Sequence, residues 1–102
     1  MYIITTSSYP NDKAKEVAEM YLKMVTQYPE DASLANRVVP VATRTTLEGV
    51  TVISVYDIKK GKLEEALTRG ANMLAMFNNI QGYRASMTTF MNLEEGMKTL
   101  GM

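Results

Sequence analysis

The segment that most constrains this chain is Val50-Thr51-Val52-Ile53-Ser54-Val55-Tyr56-Asp57-Ile58, followed at once by Lys59-Lys60-Gly61-Lys62 and then Leu63-Glu64-Glu65-Ala66-Leu67. The first part, dominated by β-branched side chains, reads as a strand. The Lys/Gly turn ends it, and the next apolar positions (Leu63, Ala66, Leu67, Gly70, Met73, Leu74 and Phe77) recur at helical spacing. In the strand, Val50, Val52, Ser54, Tyr56 and Ile58 share one face, and Thr51, Ile53, Val55 and Asp57 share the other. Both faces carry apolar β-branched residues, so alternation leaves no plainly wet side. A chain of 102 residues has too little mass to cover both faces of a sheet, which calls for a second subunit.

The rest of the chain repeats this strand-to-helix step more weakly. Tyr2 to Ser8 reads as a strand, and Tyr9-Pro10-Asn11-Asp12 combines turn chemistry with a helix start, Asn or Asp being able to cap. From Ala14 the apolar positions Val17, Ala18, Tyr21, Leu22, Val25 and Tyr28 form a helical stripe that Pro29 ends. Leu34 to Thr43 reads as a second strand. Pro40 cannot donate to a ladder, which places that strand at an edge or at a bulge. Arg44 to Gly49 reads as a hairpin loop. Asn78-Asn79 and Gly82 close the second helix before a fourth strand, Tyr83 to Met91. Asn92-Leu93-Glu94-Glu95 has capping-box spacing for a short last helix carrying Leu93, Met97 and Leu100, weakened by Gly96. The order β-α-β-β-α-β plus a C-terminal helix is a single α+β, ferredoxin-like domain over residues 1–102: a four-stranded antiparallel sheet with both long helices on one face.

Composition narrows the chemistry. Lys+Arg and Asp+Glu number 11 each, so the formal charge is zero and no electrostatic footprint for nucleic acid or an acidic membrane is expected. With no Cys there is no disulfide, thiol nucleophile or zinc-finger spacing, and with no His the commonest general base and metal ligand are missing. No bound metal and no cofactor are expected. The start, Met1-Tyr2-Ile3-Ile4-Thr5-Thr6, lacks signal-peptide character, and no apolar run reaches membrane-spanning length. The expectation is a soluble, cytoplasmic protein.

With its strand order and the run Tyr56-Asp57-Ile58-Lys59-Lys60-Gly61-Lys62-Leu63-Glu64-Glu65-Ala66, the chain resembles the dimeric α/β-barrel superfamily. Members often carry a hydrophobic-x-Lys-Pro-Gly-Lys-like turn before a Glu-rich helix start; here Lys60 stands where Pro is usual. The resemblance covers nearly the whole chain as architecture and about a dozen residues as motif. It implies a homodimer whose sheets pack face to face. Members include cofactor-free monooxygenases, haem-degrading enzymes, lactone isomerases and ligand-sensing modules. The His often used by the oxygenase and haem branches has no counterpart here.

No residue set forms a recognisable catalytic motif. Nine Met in 102 residues is high usage. Unbranched thioethers line adaptable apolar pockets, although they also serve as plain core filler. A pocket between helices and sheet would be walled by Tyr21, Met24, Met73 and Phe77, which lie on or beside the inward stripes. Tyr56, Tyr83 and Arg84 are candidates for its polar contacts, Arg84 as a bidentate partner for a carboxylate or enolate. Only one of the neighbours Tyr83 and Arg84 can face inward; the plainer reading makes them a strand aromatic and a solvated cation. Gly70, on the helix stripe, reads as a point of close backbone packing. Lys59, Lys60 and Lys62 around a helix start read as a solvated cap rather than an anion site. The leading expectation is a small homodimer binding a small apolar or aromatic molecule between helices and sheet. One alternative is a cofactor-independent enzyme, monooxygenase- or isomerase-like, acting on a small carbonyl or aromatic compound. Another is a structural or regulatory dimer module.

Overall fold

The β-branched mid-chain segment becomes β3, Gly49–Ile58, in a computed structural model that describes residues 1–102. Around it lie β1 (Tyr2–Tyr9), α1 (Ala14–Gln27), β2 (Ala35–Thr46), α2 (Leu63–Ala75), β4 (Arg84–Phe90) and α3 (Leu93–Thr99). The strands form one antiparallel sheet in the order β2-β3-β1-β4. The α+β class and the four-stranded antiparallel sheet expected from the sequence are both present, and they fit a ferredoxin-like fold. No helix is long and apolar enough to cross a membrane.

Local chemistry explains most boundaries. Gly61, at φ 77°, makes the turn between β3 and α2, a conformation that favours glycine. Asn92 caps α3 as its spacing requires: Glu95 N–H donates to Asn92 Oδ1 and Asn92 N–H donates to Glu95 Oε1, each at 2.8 Å. The expected side-chain cap on the first helix is not formed. A 3-10 turn at Asn11–Lys13 precedes α1, and the Asn11 amide instead donates to the Thr46 carbonyl at 2.9 Å, tying that turn to the end of β2.

The loop expected at Arg44 to Gly49 shrinks to Leu47-Glu48. Arg44, Thr45 and Thr46 continue the ladder opposite Thr51, Val50 and Gly49. Their Thr content suits a strand, and Gly49, with φ 140°, takes up the turn. Strand β2 lies at the sheet edge, where Pro40 is tolerated. Its register slips between Arg37 and Val39 and again between Val39 and Ala42. Each slip sets an extra β2 residue against β3. The first moves Val39 opposite Val55, and the second returns Thr43 opposite Val52.

Helices α1 and α2 cover one face of the sheet, whose side chains include Ile3, Thr5 and Ser7 of β1 and Val52, Ser54 and Tyr56 of β3. On α1 the inward face is turned from the sequence stripe. Val17 and Met24 are buried, whereas Leu22, on that stripe, is 65% exposed. A stripe this wide admits more than one phase, and the long, flexible Met24 fills the gap toward α2. The buried cluster there is Val17, Met24, Phe77 and Ile80. On the opposite sheet face nothing from this chain is laid over Ile53 and Phe90, which are 39% and 53% exposed.

Candidate functional site

The helix layer and the sheet do not close on each other. Only 9 of 102 residues are buried, none of them a large side chain shut off completely, and a cavity of about 410 Å³ lies between the layers. That volume falls in the range of small-molecule sites. The cavity roof is apolar: Val17, Met24, Val25, Met73 and Leu74 from the helices, and Phe77 from the turn that follows α2. Its floor is the sheet, where Thr5, Ser7, Thr43 and Ser54 interrupt the aliphatic residues with hydroxyl groups. The polar first strand thus supplies the wet part of an otherwise greasy chamber. Gly70 sets the height of the roof over β4: a Cβ there would stand 2.7 Å from Met87 Sδ.

Six of the sequence candidates come together on this cavity: Tyr21, Met24, Tyr56, Met73, Phe77 and Tyr83. Arg84 does not. It pairs with Ser8, is exposed, and lies outside the cavity lining. Arg84 opens β4 on the uncovered face, whereas Tyr83, the residue just before the strand, is turned inward onto Phe77.

Tyr83 closes one end of the chamber. Its ring stacks on Phe77 at 4.8 Å between centroids, and on Tyr9 at 6.3 Å. Burial pushes its phenol pKa up, a hydrogen bond with Ser7 opposes that, and Tyr9 adds to it. Ser7 is the single buried polar residue of the chain, 7% exposed.

The other polar end belongs to Arg37, to which the sequence reading gave no role. It lies on β2 opposite Tyr56, at the first register slip. Arg37 Nη2 donates to Tyr21 Oη at 3.4 Å, and the guanidinium carbon stands 5.9 Å from the centre of the Tyr56 ring. Its Nε is closed off from solvent with no acceptor. The Tyr21 hydroxyl raises the pKa of Arg37, and desolvation works against it. The sequence held one clue: Pro40, three residues on, marks the irregularity that re-aims this part of β2.

Arg69 also borders the cavity, but it is engaged elsewhere. It donates to the Pro29 carbonyl and lies 5.5 Å over the Tyr28 ring, fastening the end of α1 to α2. Asp31 at the same rim accepts from Ser33, from N–H at 3.0 Å and from Oγ at 2.5 Å. These bonds hold its pKa down, with further help from Arg69 and Lys62. Lys59, Lys60 and Lys62 are exposed beyond the cavity. No group of three or more Asp and Glu side chains is placed to hold a metal ion. Compared with protein-family models, curated proteins and solved structures, the chain matches none.

Proposed function

We propose that this protein is a binding module that holds a small apolar or aromatic molecule between its helices and its sheet. The observation that carries the reading is the 410 Å³ cavity with an apolar helical roof and a hydroxyl-bearing floor. Filled cores interdigitate to near-crystalline density, so an interior this open is costly unless something occupies it. Met24, Met73 and Met87 on its walls adapt to a guest, because an unbranched thioether swings aside where a branched side chain resists. The Phe77–Tyr83 stack offers a flat surface at one end.

The module acts as a homodimer of the dimeric α/β-barrel kind, paired through the uncovered sheet face. The chain exposes 7020 Å², against roughly 5,800 Å² expected for a folded monomer of its mass. The excess exceeds the ~800 Å² that each partner of a standard interface buries. Ile53 and Phe90 on the sheet, Leu93 and Met97 on α3, and Leu100 just after it, are the apolar side chains this pairing would cover.

The test is ¹³C-methyl-methionine NMR during titration with indole. The expected result is shifts, and intermolecular contacts, at the Met24, Met73 and Met87 methyls. Shifts confined to the exposed Met91 and Met102 refute the cavity reading.

A further inference from the structure

We infer that the occupant of this cavity carries an anionic group, a carboxylate or an enolate, seated on Arg37 between Tyr21 and Tyr56. The inference rests on the cavity reading above and adds the chemical class of the guest. A guanidinium has five N–H donors and no acceptor. In this chain Arg37 offers them only to neutral phenols, in a long 3.4 Å bond to Tyr21 and an interaction with Tyr56. None of the ion pairs in the structure includes it, and its Nε has no partner. The other arginines differ in this respect. Arg44 and Arg84 are exposed, and Arg69, besides its bond to the Pro29 carbonyl and its place over the Tyr28 ring, has the Asp31 carboxylate close enough to feel its charge. Arg37 alone combines a place on the chamber wall with an enclosed N–H that nothing accepts and no carboxylate paired to it.

Such a cation is expensive to desolvate unless an anion completes it. Its setting suits that task. The register slip at Arg37 and the ring of Tyr56 below it fix the group at the chamber wall. The planar guanidinium matches a carboxylate or enolate with paired hydrogen bonds, and neighbouring phenol hydroxyls can add a donor to the same anion. The cavity is also polarised along the sheet. Arg37 lies opposite Tyr56, whose other neighbour is Ile3, whereas the Ser7–Tyr83 end is four residues along β1. At about 3.3 Å per residue that separation is roughly 13 Å along the strand. A flat molecule with its anion at Arg37 therefore reaches toward the Phe77–Tyr83 stack when it is two or three fused rings long.

The experiment compares 2-naphthoate with its neutral isostere 2-naphthamide by calorimetry, using the full chain and the Arg37→Met variant. Methionine-methyl NMR serves as the readout of cavity occupancy and of folding. The expected result is at least tenfold tighter binding of the naphthoate to the unaltered chain. In Arg37→Met the preference should vanish, with naphthamide affinity within about twofold of the original. Equal affinities in the unaltered chain overturn the anion inference and leave the cavity reading standing. A preference that survives in Arg37→Met removes Arg37 from the role. Binding of neither compound, with unshifted Met24 and Met73 methyls, overturns both readings. If Arg37→Met does not fold, Arg37→Lys replaces it, and the naphthoate preference should then shrink without disappearing, because the paired geometry is lost while the charge stays.

Discussion

Gly70 offers a test of how the cavity roof is held. An alanine in its place relieves the entropic cost of glycine in a helix and should stabilise α2 by about 1 kcal/mol where space allows. Space is contested here: the new Cβ would lie 2.7 Å from Met87 Sδ, near the end of a flexible side chain. Carbon and sulfur need to separate by most of an ångström more, which the unbranched thioether can supply by turning off its rotamer, at a cost of about 1 kcal/mol. Gly70→Ala alone should therefore be close to neutral, from these opposed contributions. Met87→Val removes the sulfur while keeping a strand-favouring side chain. In that background Gly70→Ala should stabilise by about 1 kcal/mol. The assay is urea unfolding of the unaltered chain, both single variants and the double variant, with midpoints compared at constant slope. The expected coupling energy is about 1 kcal/mol. If Gly70→Ala stabilises equally in both backgrounds, the contact between α2 and β4 does not set the roof, and the description of the cavity as bounded there is wrong.

Ile53→Asp should dissociate the proposed dimer, since a charge on the uncovered face has no partner there, whereas Val52, which lines the cavity, is the wrong residue for that test; sedimentation showing the unaltered chain as a monomer at micromolar concentration would end the dimer proposal. Tyr83 has its pKa raised by burial, so its contribution is fully present below the unfolded tyrosine value, near pH 10, and is lost as pH rises through the folded value. Stability measured from pH 9 upward should accordingly fall more steeply for the unaltered chain than for Tyr83→Phe; identical slopes count against this. Asn92→Ala removes the acceptor for Glu95 N–H and should cost α3 about 1 kcal/mol, seen as faster amide exchange confined to Leu93–Thr99; unchanged exchange there would show that the capping box contributes nothing.

Much of the architecture was legible because it is local. β-branched content and the Gly61 turn specify β3 and the start of α2. Asn92 and Glu95 specify the entry to α3, and Pro40 announces an irregular edge strand. These depend on backbone conformation and on groups a few residues apart, which a linear reading can follow. The candidate site was legible only as a region. Helical spacing put Tyr21, Met24, Met73 and Phe77 near one another, but the stripe on α1 left its phase open, and Leu22 rather than Met24 lay on it. The exact turn of the helix follows from what α2 and the sheet offer it.

The polar end of the cavity was decided by tertiary structure alone. Arg84 and Arg37 are both strand arginines, and alternation treats them alike. The pairing of Arg84 with Ser8 turns it to the uncovered face, and the slip in β2 register keeps Arg37 beside Tyr56 on the covered one. A shift of a single residue reverses every side chain beyond it, and only the pairing of distant strands fixes where that shift falls. The same holds for the cavity itself. Volume left between layers depends on how far the helices stand from the sheet, which Gly70, Met87 and the aromatic stack determine together across residues far apart in the chain.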